Sequence, residues 1–171
     1  MLPWEIEKQR ILDRHSVYML ERMQLPISDP GYLMWDRIFC DHFASALEKY
    51  EQIIYHHSNR DNNGCHNTGE IPRLRIKFAG QTLIAYRFTY AIAAVLPLSS
   101  NEIVRHECNN AFCVNPRHLL VGDEKQNFED YLAEKAYGTR WELLKGYNHK
   151  SIIDSGHLYH PGNLYTDLSE D

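Results

Sequence analysis

Long apolar runs are missing from this sequence. None approaches the roughly 20 residues that a transmembrane helix requires, and the first residues lack the charged-then-apolar pattern of a signal peptide. Internal repeats and low-complexity segments are also absent. The composition, 43% hydrophobic and 24% charged over 171 residues, is typical of one globular domain with a substantial core. We therefore expect a folded cytoplasmic protein.

Positive charge is also in short supply, since the net charge is -5. Proteins that coat nucleic acid without specificity need an excess of Lys and Arg to neutralise phosphates, so this class is disfavoured. Binding to DNA through one face stays open, because the cations are concentrated in the middle of the chain. The cations in the middle of the chain are Arg60, Arg73, Arg75, Lys77, Arg87, Arg105 and Arg117.

Only four cysteines occur, and two of them lie in one short stretch with histidines. Along this stretch His106, Cys108, Cys113, His118 and Asn127 follow at steps of two, five, five and nine residues. In a cytosolic chain, cysteines interleaved with histidine indicate metal ligands more often than disulfides. Two thiolates and one imidazole on a tight loop suit tetrahedral zinc. A closed site then needs a fourth ligand from elsewhere.

The pattern divides the chain into three parts. Residues 1–58 form a helical region with amphipathic helices over Trp4–Met23 and Tyr32–Tyr55, separated by a turn at Ser28–Gly31. These helices pack on the core or form a dimer surface. Residues 59–137 carry the chemistry, and residues 138–171 form a turn-rich extended tail.

A basic hairpin is predicted after a polar loop. The segment Ile71–Phe78 alternates basic and apolar residues, Ala79–Gln81 makes the turn, and Thr82–Tyr86 returns as a second strand. A short helix over Arg87–Leu96 follows. A two-stranded ribbon with one cationic face fits the major groove of DNA, although a solvated outer face has the same pattern.

Two further short strands and a helix surround the cysteine loop. Ile103-Val104 leads into His106, and Leu119–Val121 returns before Gly122. Asp123 then has the character of an N-cap for a helix that runs to about Tyr137. This order predicts that His106, at a strand end, faces Asn127, one turn into the helix, so that both reach one phosphate.

The stretch from Arg105 to Asp130 closely resembles the His-Cys box homing endonucleases and the wider HNH, or His-Me finger, nucleases. The segment Cys65–Gly69, the basic strand pair and Tyr86-Arg87 are similar to the zinc-loop half of the same domain. The resemblance covers about residues 65–130. It implies an α+β fold with a ββα-metal nuclease core, and a metal-dependent, sequence-specific endonuclease that cuts double-stranded DNA as a homodimer.

The resemblance also assigns the zinc ligands. Cys108, Cys113 and His118 are expected to bind a structural zinc, with Cys65 as the fourth ligand. Cys40 competes for that place, but it lies mid-helix, where a buried free thiol is the ordinary interpretation. One departure is that no cysteine follows Cys113, so the second zinc site of some family members is missing.

The catalytic roles follow from the same resemblance. His106 is expected to be the general base, and Asn127 to hold Mg²⁺ or another divalent ion. Arg87 is expected to bind the scissile or a neighbouring phosphate, or else to form a salt bridge beneath the hairpin. The residues expected to contact DNA are Arg73, Arg75, Lys77, Arg87 and Arg105. In the alternative, His106 is an extra zinc ligand, and the protein is a non-catalytic zinc-stabilised DNA-binding or regulatory module.

Overall fold

The computed structural model describes residues 3–22, 28–122 and 124–138. Within them the fold is α+β, as predicted, with five α-helices and three small hairpins. The α-helices are α1 (Trp4–Glu21), α2 (Pro30–Asp41), α3 (Phe43–Glu51), α4 (Ala85–Ala94) and α5 (Glu124–Tyr137). The strands are β1 (Asn59–Arg60), β2 (His66–Asn67), β3 (Arg75–Phe78), β4 (Gln81–Ile84), β5 (Ile103–His106) and β6 (Leu119–Gly122). A π-helical turn (Gln52–His56) follows α3, and a 3-10 turn (Pro116–His118) precedes β6.

Among the described residues β1–β2, β3–β4 and β5–β6 each form a separate two-stranded antiparallel sheet, and one isolated bridge joins Asn67 of β2 to Cys113. In the third sheet Ile103 pairs with Gly122, and His106 pairs with Leu119 at the far end. This register places His106 where β5 leaves its partner and the cysteine loop begins.

The N-terminal helices form largely as predicted. Asp29 caps α2 by accepting hydrogen bonds from the backbone of Gly31 and Tyr32, with Pro30 at the first helical position. The predicted single helix over Tyr32–Tyr55 is divided, because His42 leaves the helical region with φ of -131°.

The basic hairpin is shorter than predicted. The turn is made by Ala79 and Gly80, both with positive φ, as a two-residue hairpin turn requires. The first strand begins at Arg75 and not at Ile71, because Arg73 has a φ of 54° and its backbone N–H donates to the carbonyl of Ala111. A left-handed residue ends an extended strand. Within β3, Arg75 and Lys77 are exposed while Ile76 and Phe78 are half-buried.

The hydrophobic core surrounds α4. This helix is buried on nearly all sides, and its alanines allow α1, α3 and β5 to approach it closely. The largest side chains that are fully buried are Trp35, Phe39, Tyr50, Phe88 and Tyr90. One cluster joins residues of α1 to α4 with residues of β5 and β6. The N-terminal helices therefore pack on the core, one of the two roles expected for them.

The C-terminal helix α5 ends at Tyr137, and Gly138 follows with a φ of 73°. This boundary confirms the end predicted from the sequence. The N-cap prediction at Asp123 and the tail prediction over 139–171 lie outside the described residues. Among the helices that are described, none is both long and apolar enough to cross a membrane.

Candidate metal centre and adjoining histidine

Three thiols and one imidazole meet between the first and third hairpins. Cys65 comes from the end of the β1–β2 loop, Cys108 and Cys113 from the loop after β5, and His118 from the end of the 3-10 turn. All four side chains are buried, and their ligand atoms lie within 4.8 Å of one another. The structure thus brings together the four residues that the sequence predicted as zinc ligands.

The distances between ligand atoms in this cluster fit tetrahedral coordination of a metal ion. The Nδ1 atom of His118 lies 3.5 Å from the Sγ of Cys65 and 3.7 Å from the Sγ of Cys113. Zinc bonds of about 2.3 Å to sulfur and about 2.0 Å to nitrogen, at tetrahedral angles, place such ligand pairs about 3.6 Å apart. Cys40 lies instead on α2, with its Sγ 3.7 Å from Asp36. The cluster therefore contains Cys65 and not Cys40.

Polar side chains shape the loop around the cluster. The side chain of Asn115 accepts a hydrogen bond from the backbone of Arg117 at 3.0 Å and donates to the carbonyl of Gly64 at 2.8 Å. The backbone of Val114 donates to the carbonyl of His66. These bonds hold the Cys65 loop against the Cys113 loop. Asn110 adds a hydrogen bond to Asn67 at 2.7 Å and another to the thiol of Cys65.

The thiols are electrostatically coupled. Hydrogen bonds from the neighbouring thiols of Cys108 and Cys113 lower the pKa of Cys65, whereas hydrogen bonds to Cys113 and Cys65 raise the pKa of Cys108. The opposite directions arise because adjacent buried thiols cannot all ionise without a compensating charge. A bound cation supplies that charge and favours the thiolate at every position. The donor set, the burial and the spacing all fit zinc.

His106 lies beside this cluster but outside it. Its Nε2 is 3.0 Å from the carbonyl oxygen of Cys113, and because a carbonyl only accepts, Nε2 carries the proton and donates. In the neutral ring Nδ1 then holds the lone pair. The ring of Tyr86 meets the His106 ring edge-on, with centroids 4.3 Å apart. The alternative in which His106 is a ligand of the same metal finds no support in this arrangement.

The surroundings of His106 keep it uncharged. The pKa of His106 is lowered to about 4, chiefly by burial and to a smaller extent by the positive charge of Arg73, while the hydrogen bond to the Cys113 carbonyl acts in the opposite direction. The imidazole is therefore neutral near pH 7, in the protonation state that accepts a proton. Tyr86 was not singled out as a site residue by the sequence, because its position against His106 depends on how α4 packs on β5.

The predicted DNA-binding cations divide into two groups. Arg73, Arg75 and Lys77 are exposed on the basic hairpin. Arg105 is buried, with 8% of its surface exposed. Arg87 is also largely enclosed, and its guanidinium donates to the carbonyls of Glu102 at 2.5 Å and Ser99 at 2.8 Å. Burial lowers the pKa of Arg87. The predicted phosphate contacts of these two arginines stay predictions.

Asn127 belongs to the first turn of α5. This helix contacts β5, the strand that ends in His106, as the order of strand, loop, strand and helix predicted. The side chain of Asn127 lies outside the described residues. Its assignment to Mg²⁺ therefore stays a prediction.

Comparisons with known proteins add no family. No protein-family model, no curated protein and no solved structure matches this chain.

Proposed function

We propose that this protein is a metal-dependent endonuclease that hydrolyses phosphodiester bonds in double-stranded DNA. A zinc ion bound by Cys65, Cys108, Cys113 and His118 would hold the fold, and His106 would act as the general base. The observation that carries the proposal is the hydrogen bond from Nε2 of His106 to the carbonyl of Cys113. This hydrogen bond holds the His106 ring beside the metal cluster and leaves the lone pair on Nδ1.

The four-ligand cluster supports a structural role for the zinc. Four protein ligands fill a tetrahedral site and leave no position for a substrate or a water molecule. The chemistry is therefore assigned to the neighbouring histidine. The zinc acts indirectly, because the Cys113 carbonyl that orients His106 belongs to a residue that also supplies a ligand.

Hydrolysis requires a water molecule that loses a proton as it attacks the phosphorus in line with the leaving oxygen. In our proposal Nδ1 of His106 takes that proton. The low pKa of His106 in the free protein ensures the neutral state, and a bound phosphate raises the basicity because its negative charge favours the imidazolium. Mg²⁺ held by Asn127 would supply the charge that stabilises the leaving oxygen.

The basic hairpin supports DNA as the substrate. Arg75 and Lys77 are exposed at alternate positions of β3, so they project toward the same side of the hairpin, and Arg73, which precedes the strand, is also exposed. Cations of this kind neutralise phosphates and position a duplex. Because the net charge of the protein is -5, we expect DNA to be attracted to this face and not to the rest of the surface.

The proposal is tested with supercoiled plasmid DNA and Mg²⁺, with and without a chelator. We expect nicked and linear products from the wild-type protein. His106→Ala should retain its zinc and bind DNA, yet cleave more slowly by a factor of about 10² to 10⁴, the usual contribution of a general base. Mapping the cut ends measures sequence preference and symmetry, and gel filtration measures the predicted homodimer.

His56→Ala provides a matched control, because the side chain of His56 is 61% exposed and its Nε2 lies 4.0 Å from the carboxylate of Glu51. Its cleavage rate should equal that of the wild type. Undiminished cleavage by His106→Ala would refute the proposal. Binding of DNA without any cleavage by the wild-type protein would instead favour the non-catalytic zinc module.

A further inference from the structure

The guanidinium of Arg87 forms hydrogen bonds within the fold. Its two terminal nitrogens donate to the carbonyls of Ser99 and Glu102, in the loop that enters β5. The surrounding residues are also tied together, since Glu102 accepts hydrogen bonds from the backbone of Ser99 and from the hydroxyl of Tyr32. Arg87 therefore holds the loop that positions β5. A phosphate would have to compete with these two backbone carbonyls for the guanidinium donors.

Arg73 is placed differently. Its side chain is exposed, and its backbone N–H donates to the carbonyl of Ala111 at 3.1 Å. Two residues further on, the carbonyl of Cys113 accepts the hydrogen bond from His106. Arg73 and His106 are thus both fixed to the three-residue segment 111–113.

The backbone of Arg73 adds a second observation. Its φ of 54° lies in the left-handed region, which is unfavourable for a residue with a Cβ. Glycine would adopt this conformation without strain, yet an arginine stands here at the junction between the metal loop and the basic hairpin.

We propose that Arg73 is the cation that binds the reacting phosphate beside His106, and that Arg87 is a structural residue that holds the entry to β5. This inference rests on the proposed nuclease function. It assigns Arg73 a role in the reaction that is distinct from the general attraction of DNA by Arg75 and Lys77.

The chemistry gives Arg73 a defined task. A bond forms between the water oxygen and phosphorus, the bond from phosphorus to the leaving sugar oxygen breaks, and the water proton passes to Nδ1 of His106. Negative charge increases on the phosphoryl oxygens and on the leaving oxygen, which then takes a proton from solvent. A guanidinium can donate two parallel hydrogen bonds to two phosphoryl oxygens, and so stabilises this charge as it develops.

The test uses the full-length zinc-loaded protein, Mg²⁺ and single-turnover cleavage at saturating DNA. Arg73→Gly removes the guanidinium and accommodates the positive φ, so its thermal stability should match or exceed that of the wild type. We expect its cleavage rate to fall by about 100-fold, with a change in Kd for DNA of only a few fold. Arg73→Lys keeps the charge without the paired donors, and should recover part of the rate.

Two further variants separate this role from loss of charge and from loss of folding. Arg37→Ala removes one exposed arginine of α2 and should cleave saturating DNA at the wild-type rate. Arg87→Lys should lower the melting temperature, because lysine cannot span both carbonyls.

Each result decides between the assignments. If Arg73→Gly cleaves saturating DNA within about threefold of the wild type while His106→Ala is inactive, the role given to Arg73 is wrong and the nuclease proposal stands. If Arg87→Lys keeps the wild-type melting temperature but loses its cleavage rate, the roles proposed for Arg73 and Arg87 are wrong and must be interchanged. If the wild type does not cleave, or His106→Ala cleaves equally well, the nuclease proposal fails and the role of Arg73 fails with it.

Discussion

The protein contains two regions that are stabilised in different ways. The helical region, residues 4–56 and α4, buries large aromatic and aliphatic side chains such as Trp35, Phe39 and Phe88. The hairpin region, residues 59–84 and 103–122, consists of short strands in separate sheets. Between its first and third hairpins lie three thiols and an imidazole.

The difference shows that one chain can be stabilised by two kinds of interaction, apolar burial and metal binding. Burial of apolar area stabilises the helical region. A two-stranded hairpin is marginal in water by itself. Strands of two to four residues bury little area of their own, and Val104, Leu119 and Val121 of the third hairpin are buried because they join the core of the helical region. A metal ion bound by residues far apart in sequence, such as Cys65 and His118, supplies folding free energy directly.

The largest effect should come from removing a metal ligand. Cys108→Ser is expected to abolish the binding of one equivalent of zinc. Structural zinc contributes on the order of 10 kcal/mol, comparable to the whole stability of a domain, so the hairpin region should unfold. Hydrogen exchange should show lost protection in β1, β2, β5 and β6, with protection retained in α2 and α4.

Cys40→Ser is the matched control, because Cys40 is the cysteine outside the cluster. It should keep its zinc and its hairpin protection. Equal loss of protection in α2 and α4 of Cys108→Ser would show that the two regions unfold as one unit, and the comparison would not hold.

A smaller effect should follow from cutting the ion pair that joins the regions. Glu7 of α1 is 1% exposed, and its Oε2 lies 2.9 Å from Nη2 of Arg117, the residue before the ligand His118. The hydroxyl of Tyr50 also donates to Glu7, at 3.4 Å. Breaking a fully buried pair costs about 3–5 kcal/mol. Because Arg117 keeps about a quarter of its exposure, we expect Glu7→Gln to lower the free energy of unfolding by about 2 kcal/mol.

Urea denaturation measures this change. Glu5→Gln alters an exposed carboxylate in the same helical turn and should shift the free energy by less than about 0.5 kcal/mol. Equal values for the two variants would mean that the ion pair does not connect the regions energetically.

The smallest effect concerns acid sensitivity inside the helical region. The hydrogen bond from Arg22 lowers the pKa of Asp36 below its ordinary 3.8, and the Tyr18 hydroxyl at 2.6 Å lowers it further. Since the folded pKa is below the unfolded one, the contribution is complete above pH 3.8 and is lost as the pH falls through the folded value. The partial exposure of the pair limits it to about 1 kcal/mol.

Asp36→Asn should therefore be less stable than the wild type near neutral pH, and the difference should shrink in acid. The measurement is the free energy of unfolding against pH for both proteins, with zinc content recorded at each pH. A difference that stays constant down to the lowest pH would show that the carboxylate charge contributes nothing.

The sequence predicted the local elements well where a period or a cap defines them. The turn at Asp29-Pro30, the end of α5 before Gly138 and the exposed basic face of β3 were all expected. The break at His42 and the late start of β3 were not expected. The late start of β3 depends on a contact with a distant residue, the backbone hydrogen bond from Arg73 to Ala111, and periodicity along the chain carries no record of such a contact.

The sequence alone predicted Cys108, Cys113 and His118 as ligands of one metal ion, because two thiols and an imidazole on one short loop suit tetrahedral zinc. Only the tertiary structure decided that Cys65 and not Cys40 completes the set, that Arg87 faces two carbonyls, and that Arg73 and His106 share one loop. These facts arise from packing between segments far apart in the chain. The spacing of residues in the sequence shows which side chains could bind a metal or a phosphate. The fold determines which of these side chains lie close together.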